Sequence, residues 1–437
     1  MKSFLLGLFI TLSVTYTAQS QRICGTTDYT NQLLQSDPSF NAASQQIQKQ
    51  VDSIIKRNSN IARRDTGASE IIYIPVVIHL LYKTPYENIS DAQIKSQLDV
   101  LNKDFRRLND DRVNTPQAFK SAAGDARIQF CLAQVDPKGA RTSGINRVYT
   151  NKDAFTTDDG MKSVASGGVA AWDTKHYLNI WVCKLIGRSL GYATPPGASA
   201  DKDGVVMSFD VFGTIEKVRP VFNKGRTATH EIGHWLGLTH IWGDTNCGND
   251  QVDDTPTQQS YNFGCPSFPK LSSCSPNGNG DMFMNFMDFS DDACMNLFTN
   301  GQVKRMRALF AQNNIRNGFL SSFACDSTLA QAAPLPLPLP LPTPTDTTPT
   351  VKPIVISLAS TKVFPNPVQS MLIVNCKLAT SNTIQTMQIY NSLGVNVFSA
   401  QLKQIITTHN VGNLKTGIYF IEIGNGKDKF ITKVIKL

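Results

Sequence analysis

Three histidines and a glutamate within residues 230–240 have a spacing that could hold a metal ion. His230 and His234 are four positions apart, so on a helix they share one face, with Glu231 beside them. Gly237 can adopt a positive φ, which would end that helix and turn the chain sharply. The turn would bring His240 in as a third ligand. Three nitrogen ligands leave the fourth position of a zinc ion open to water, as in catalytic zinc sites.

The residue types in this motif suit the hydrolysis of peptide bonds. Zinc lowers the pKa of bound water toward about 7 and polarises a carbonyl group. Glu231 could accept the proton of the water and deliver it to the leaving amine. A bare His-Glu-x-x-His pattern can arise by chance, but the extended pattern uses three of only six histidines in the chain. We therefore predict a zinc-dependent endopeptidase. The alternative is a non-catalytic surface-binding protein or adhesin with a structural zinc site, but the presence of Glu231 favours the enzyme.

Strands and helices alternate along the region that carries the motif. Apolar, β-branched runs predict strands at 71–82, 128–135, 177–185 and 205–209. Helical periodicity predicts a helix at 91–107 with Ser90 as its N-cap, and a second helix is plausible at 42–55. Strands interleaved with helices imply an α/β layered domain.

The N-terminal segments predict export and processing. Lys2, the apolar run 4–14 and the small residues that follow are typical of a secretory signal peptide, assigned to residues 1–20. Residues 21–63 are polar and end at Arg63-Arg64, which predicts a propeptide with a proteolytic site at its end. A flexible N-terminal extension is the alternative.

The remainder of the chain divides into a domain, a spacer and a second domain. Residues 64–326 contain the metal motif and form the catalytic domain. Residues 327–353 are rich in proline, which predicts an extended, semi-rigid linker. Residues 354–437 contain short alternating runs separated by Gly, Asn and Ser, which predicts a small all-β sandwich.

Charge, hydropathy and cysteine content exclude some classes of protein. The net charge is +8, but lysine and arginine are scattered, so nucleic-acid binding is not favoured. No stretch is apolar for long enough to predict a transmembrane segment. Secretion permits disulfides, and the odd count of nine cysteines leaves at least one thiol unpaired within the chain. Four cysteines lie in 247–294, where cross-links are expected. The sequence assigns no role to Cys131, Cys183, Cys325 and Cys376.

The metal motif, together with Met287 in Asn285-Phe286-Met287-Asp288, resembles the metzincin clan of metallopeptidases. Within this clan the chain is most similar to the bacterial secreted branch of the pappalysin family. The similarity covers most of 70–320 and includes the runs at 74–79, 177–181, 191–193 and 253–256. The resemblance implies a metzincin-like catalytic domain with a twisted mixed sheet and an active-site helix. It also implies that Met287 lies in a tight turn beneath the zinc.

The resemblance implies roles for three further residues. Cys24 would ligate the zinc in a latent form, as a cysteine switch, although a reactive thiol or a disulfide partner is the alternative. Asp292, with Asp291 as second choice, would lie at the floor of the S1′ pocket and select Arg or Lys. Two surface carboxylates are the alternative. Such an enzyme would cut before basic residues and could trim itself near Arg63-Arg64.

For the long loop before the methionine turn, the family resemblance implies two disulfides and a bound cation. The resemblance suggests the disulfides Cys247–Cys274 and Cys265–Cys294. It also suggests calcium as a second cofactor, with hard oxygen ligands from Asp250, Asp253 and Asp254. Solvated loop carboxylates are an equally good interpretation of these aspartates.

The sequence departs from the family at one position near the metal. Members often carry a tyrosine two residues after the turn methionine, and this chain has Phe289. A single missing hydrogen-bond donor to an oxyanion can cost about 100-fold in rate.

The C-terminal region resembles the sorting domain of the bacterial type IX secretion pathway. The matching pieces are Phe364-Pro365-Asn366-Pro367, Ile389-Tyr390-Asn391-Ser392-Leu393-Gly394, Thr416-Gly417-Ile418-Tyr419 and Lys433-Val434-Ile435-Lys436. The resemblance implies an immunoglobulin-like sandwich and export through the periplasm and outer membrane of a Bacteroidetes-type bacterium. The expected partners are therefore peptide substrates and the type IX machinery.

Overall fold

The structure is a computed structural model that forms two compact units, residues 1–337 and 338–437. It describes residues 22–61, 70–187, 189–322, 324–326, 361–364, 368, 371–375, 385–391, 395–402, 406–425 and 428–436. The expected signal peptide, the Arg63-Arg64 site and the proline-rich linker lie outside the described residues.

A six-stranded mixed sheet forms the centre of the first unit. Its strands are β1 (Ile72–Tyr82), β2 (Ile128–Leu132), β3 (Ile145–Tyr149), β4 (Leu178–Cys183), β5 (Gly191–Ala193) and β6 (Val205–Ser208). The order is β2-β1-β4-β6-β5, and β3 continues the β2 side by pairing with the second half of β1. All pairs are parallel except β5, which runs antiparallel to β6. Strand β5 lies at one edge of the sheet, and the helix Arg226–Trp235, which carries the start of the metal motif, packs against it.

In the described part of this unit, five α-helices accompany the sheet. They are α1 (Thr26–Ser36), α2 (Pro38–Ile61), α3 (Asp91–Asp104), α4 (Arg226–Trp235) and α5 (Asn300–Ala308). Ser90 caps α3 as predicted, because its hydroxyl accepts a hydrogen bond from the backbone N–H of Gln93 at 3.0 Å. Every residue of α4 is buried, so this helix lies inside the unit. None of the described helices has both the length and the apolar character of a membrane span.

The regular secondary structure described in the second unit is all β-strand. The strands are β7 (Lys362–Phe364), β8 (Met371–Asn375), β9 (Gln385–Asn391), β10 (Asn396–Leu402), β11 (Ile406–Asn410), β12 (Gly417–Asn425) and β13 (Asp428–Lys436). They form two antiparallel sheets, β10-β9-β12-β13 and β11-β8-β7. Side chains from both sheets meet in one core, including Leu372 and Val374 from one sheet and Ile389 and Ile421 from the other.

Three disulfides brace the first unit. The bonded pairs are Cys131–Cys325, Cys247–Cys274 and Cys265–Cys294. The last two are the pairs that the family resemblance implies, and both lie in the loop between α4 and α5. Cys24 and Cys183 are free and buried, whereas Cys376 lies outside the described residues.

Candidate active site

The metal motif begins on α4 and ends beyond a sharp turn. His230 and His234 lie one helical turn apart on α4, with Glu231 between them. The helix ends at Trp235, and Gly237 then takes a φ of 80°, a conformation that costs glycine little. This turn returns the chain toward the helix.

The structure brings the three imidazoles together. The Nε2 atom of His234 lies 3.1 Å from that of His230 and 3.1 Å from that of His240. All three side chains are at most 4% exposed. The Sγ atom of Cys24 joins them, so that the four potential ligand atoms lie within 4.8 Å of one another.

The opposite nitrogen of each ring makes a hydrogen bond that fixes its orientation. The Nδ1 atom of His230 lies 2.7 Å from the carbonyl oxygen of Phe286, and that of His234 lies 2.8 Å from the carbonyl oxygen of Leu238. The Nδ1 atom of His240 lies 2.5 Å from the carboxylate of Asp244. With Nδ1 as the donor, each Nε2 presents a lone pair to the other two rings. Three converging acceptors cannot satisfy one another, so this donor set fits a metal cation.

Burial keeps two of the rings in the neutral form that binds metals. Burial, followed by the neighbouring histidines, lowers the pKa of His230 well below its usual value. Burial, followed by the charge of His240, lowers the pKa of His234 to about 3. Tetrahedral zinc sites use neutral imidazole in this way.

Met287 lies against the helix that carries the ligands. A Cβ atom placed on Gly233 would come within 2.5 Å of the Met287 Sδ atom, so the helix can approach only because residue 233 is glycine. The Met287 carbonyl oxygen accepts a hydrogen bond from the N–H of Ile241 at 3.2 Å. The turn therefore supports both the helix and the segment that follows His240.

Aromatic rings surround the third histidine. The ring of Trp242 stacks on His240 with centroids 4.3 Å apart and an interplanar angle of 6°. Phe289 packs edge-on against His240 at 4.8 Å, so the position where relatives often have tyrosine presents only carbon atoms.

Glu231 is 1% exposed and faces the segment around Cys24. Its Oε2 atom accepts a hydrogen bond from the Thr26 hydroxyl at 2.8 Å and contacts the Cys24 thiol at 3.5 Å. Its Oε1 atom has no hydrogen-bond partner among the described residues. Burial raises the pKa of Glu231 to about 7, a value suited to both accepting and donating a proton near neutral pH.

The segment around Cys24 lies along the edge of the sheet. Cys24 forms a parallel bridge with Gly191 on β5, and the Gly25 N–H donates to the Gly191 carbonyl oxygen at 2.9 Å. Burial, followed by the charge of Glu231, raises the pKa of the Cys24 thiol well above its usual value. The segment predicted as a propeptide therefore occupies the site.

Arg22 reaches a buried carboxylate beside the metal group. Its guanidinium lies 2.5 Å from Asp292, and the two side chains are 1% and 0% exposed. The second oxygen of Asp292 accepts backbone N–H bonds from Lys224 at 2.9 Å and Arg226 at 3.2 Å. Asp292, and not Asp291, is thus the carboxylate that receives the basic side chain.

The aspartates considered for calcium are not assembled into a site. Both carboxylate oxygens of Asp250 accept a hydrogen bond from Thr255, and Asp254 accepts one from the Gly301 N–H. Asp253 is exposed. Within the described ranges, the cluster of Cys24 with the three histidines is the only group of ligand-type side chains arranged to hold a metal.

Several residues of the site were not expected from sequence. They are Arg22, Thr26, Thr27, Trp242 and Asp244. The one available signal was proximity along the chain, because Arg22 is two residues from Cys24 and Asp244 is four residues from His240. Thr27 donates to Asp244 at 3.1 Å, and this contact across more than 200 residues has no sequence signature.

Comparison with known proteins agrees with this geometry. Residues 162–311 match the M43 peptidase family described as pregnancy-associated plasma protein-A, and residues 362–437 match the secretion system C-terminal sorting domain. An extracellular metalloprotease of Pyricularia oryzae is 30% identical over 320 residues, covering 71% of this chain and 96% of the relative. One from Arthroderma otae is 32% identical over 241 residues, covering 54% and 76%.

Two solved structures from Tannerella forsythia are also similar. Mature mirolysin in complex with a cleaved peptide is 49% identical, with a TM-score of 0.58 and coverage of 60% of this chain and 100% of that one. A promirolysin mutant is 45% identical, with a TM-score of 0.63 and coverage of 69% and 97%. These relatives are proteases, which sets aside the alternative of a non-catalytic adhesin. The chain belongs to the pappalysin family: it is a secreted metalloendopeptidase that carries a type IX sorting domain at its C-terminus.

Proposed function

We propose that this enzyme uses Glu231 as general base and acid, prefers Arg or Lys at P1′, and is kept latent by Cys24 and its neighbours. The observation that carries the proposal is the pairing of Arg22 with Asp292 beside the three histidines. A basic side chain of the chain itself occupies the position that a substrate's basic side chain would take.

The three imidazoles would hold zinc, and Glu231 would handle protons next to it. A zinc ion held there supplies Lewis-acid polarisation of the scissile carbonyl and acidifies water in the site. One oxygen of Glu231 has no hydrogen-bond partner among the described residues and burial raises its pKa to about 7, so it can take a proton and return it to the leaving amine. Asp244 holds the His240 ring through Nδ1, and fixing the ring in this way favours a stable ligand set.

Preference for a basic P1′ side chain follows from the surroundings of Asp292. Its carboxylate is fully buried, and backbone N–H groups bind one oxygen, leaving the other for a guanidinium. A planar guanidinium matches a carboxylate better than an ammonium does, so Arg should be preferred to Lys. A neutral P1′ side chain would leave a buried charge unpaired, which disfavours its binding.

Latency would rest on three contacts made by residues 22–26. Arg22 fills the specificity site, the Cys24 thiol lies among the imidazoles, and the Thr26 hydroxyl binds Glu231 at 2.8 Å. Thiolate is a good zinc ligand and would exclude water from the metal. Each contact engages a different part of the catalytic apparatus, so the loss of one would not release the others.

Helix α2 anchors the same segment away from the metal. Val51 is 4% exposed and joins the main core, and Asp52 pairs with Arg305 at 3.1 Å. A cut at Arg63-Arg64 would leave all of these contacts in place. Full activation should therefore require either dissociation of the segment or a further cut within it.

We also propose two features that the sequence predicts, one for the fold of the sorting domain and one for calcium binding. The shared core of the two C-terminal sheets supports an immunoglobulin-like sandwich for the sorting domain. Calcium binding by Asp250, Asp253 and Asp254 stays a prediction that calorimetry with added calcium would test.

The proposal is tested by cleavage of a peptide library with the mature enzyme, followed by mass spectrometry. We expect Arg, then Lys, at P1′. Glu231→Ala should lower the rate of cleavage at least about 100-fold while leaving the metal content unchanged. Cleavage without a basic bias at P1′ would refute the specificity, and cleavage by the Glu231→Ala variant at the parent rate would refute the mechanism.

A further inference from the structure

We propose that the mature enzyme has a preformed pocket for the side chain of a tyrosine, formed by Tyr192, Asp159 and Lys162 at the edge strand β5, which also borders Glu231. This inference rests on the proposed function in one respect, namely that residues 22–61 leave during activation. In the latent protein Tyr29 of α1 fills the pocket and is only 2% exposed.

The pocket contacts both the ring and the hydroxyl group of Tyr29. Its ring packs against Tyr192 with centroids 4.8 Å apart. Its hydroxyl donates to the Oδ2 atom of Asp159 at 2.7 Å. The ammonium group of Lys162 lies 5.2 Å from the ring centroid, within the range of a cation–π contact. An aromatic wall, a carboxylate acceptor and a buried cation thus surround one side chain.

The pocket residues Lys162, Asp159 and Tyr192 are positioned by hydrogen bonds within the catalytic domain. Lys162 is 5% exposed, and its ammonium lies 2.8 Å from the Oδ1 atom of Asp159. It also donates to the Thr194 hydroxyl at 2.9 Å and to the Lys202 carbonyl oxygen at 2.8 Å. The Tyr192 hydroxyl donates to the same Oδ1 atom at 3.1 Å. None of these bonds involves residues 22–61, so they should remain when that segment leaves.

Departure of the segment would leave one carboxylate oxygen available. Among the described residues, Tyr29 is the only hydrogen-bond donor to the Oδ2 atom of Asp159, and Lys202 approaches it no closer than 3.8 Å. A site built to bind a hydroxyl rejects an analogue that lacks it, because the buried acceptor is then left unpaired. The pocket should therefore distinguish tyrosine from phenylalanine.

The position of the pocket connects it to substrate binding. Gly191 lies close to Glu231. A Cβ atom added to Gly191 would come within 3.3 Å of the Glu231 Cγ atom. The next residue on β5 is Tyr192, whose side chain forms the pocket wall. Successive side chains of a strand point to opposite faces, so Tyr192 packs on the face of the sheet away from α4. A peptide paired along β5 would present alternate side chains to the two faces and could reach both positions. The pocket would thus act as a specificity subsite on the strand that borders the catalytic residue.

The first experiment measures binding and does not depend on catalysis. The Glu231→Ala enzyme is trimmed in trans by active enzyme and separated from residues 22–61, and a labelled peptide of residues 22–36 is titrated against it in the presence of zinc. Tyr29→Phe in the peptide should weaken binding about tenfold or more, because a hydrogen bond to a charged group is lost. Gln32→Ala, an exposed change, is the matched control and should leave binding unaltered. Equal binding of the Tyr29→Phe and parent peptides would overturn the proposal.

The second experiment asks whether other peptides use the pocket. Peptides with Arg at P1′ and either Tyr or Phe at successive non-primed positions compete with the labelled peptide. At one position Tyr should outcompete Phe about tenfold, and Asp159→Asn in the enzyme should bring that ratio near one. Asp153→Asn, at an exposed carboxylate, should leave the ratio unchanged. Equal competition by Tyr and Phe at every position would overturn the proposal.

The two experiments separate this inference from the proposed function. Both are read as binding, so they decide the pocket even if the active enzyme cleaves none of these peptides. Cleavage of the Arg peptides with no difference between Tyr and Phe would leave the proposed function intact and refute the pocket.

Discussion

Replacing Arg22 with alanine should weaken the hold of residues 22–61 on the mature enzyme. The Arg22–Asp292 pair is almost completely buried, with side-chain exposures of 1% and 0% and a separation of 2.5 Å. Removing one partner of a buried ion pair typically costs about 3–5 kcal/mol, since the other charge is left unpaired. Two backbone N–H groups continue to bind Asp292, so we expect a cost at the lower end of this range. About 3 kcal/mol corresponds to roughly a 100-fold increase in the inhibition constant.

The assay uses the peptide of residues 22–61 as an inhibitor added to mature enzyme, with an Arg-P1′ peptide as substrate. Arg57→Ala removes the same charge from an exposed position of α2 and serves as the control. Arg22→Lys should fall between the parent and Arg22→Ala, because an ammonium pairs with the carboxylate less completely. Equal inhibition constants for Arg22→Ala and Arg57→Ala would refute the reasoning.

Three further changes have expected outcomes. Asp292→Asn should lower kcat/KM for Arg-P1′ peptides about 100-fold and Asp291→Asn should not, as peptide-library kinetics would show; equal effects would contradict the assignment. Cys24→Ala should give a proprotein with measurable activity before any trimming, but below that of the mature enzyme because Arg22 and Thr26 still bind; a silent proprotein that mass spectrometry shows intact would count against the switch. His79→Gln should reduce the acid sensitivity of folding. Burial lowers the pKa of His79 from 6.5 to about 4. Between these pH values the unfolded chain binds more protons than the folded chain, so the free energy of unfolding decreases as the pH is lowered. The parent should lose up to about 1.4 kcal/mol per pH unit from this group, and urea unfolding at pH 7 and 5 that shows equal losses would exclude the effect.

Local patterns predicted the parts of the structure that depend on neighbours in sequence. The histidines of α4 are separated by one helical turn, and the turn at Gly237 needs a residue that tolerates positive φ. The strands β1, β2, β4 and β6 were predicted from apolar runs because each contributes buried apolar side chains to the core. Their observed bounds differ from the predicted ones mainly at the ends, where hydrogen bonding and not hydropathy decides.

Other parts could not be predicted because they depend on distant residues. Strand β5 has three residues, too few for a periodic pattern, and it exists because β6 offers an edge. The contacts of Arg22 with Asp292 and of Tyr29 with Asp159 join residues more than 100 positions apart. The calcium expectation rests on residue type alone and stays a prediction; the structure gives the carboxylate of Asp250 a hydrogen bond from Thr255.

Metal analysis combined with peptide hydrolysis tests the zinc-dependent mechanism most directly. The mature enzyme and its Glu231→Ala variant are assayed for zinc content and for kcat on one Arg-P1′ peptide. We predict one zinc ion per chain in both proteins, with kcat reduced about 10²- to 10⁴-fold in the variant. Full activity in a zinc-loaded Glu231→Ala enzyme, or hydrolysis by a parent enzyme that contains no zinc, would contradict the mechanism.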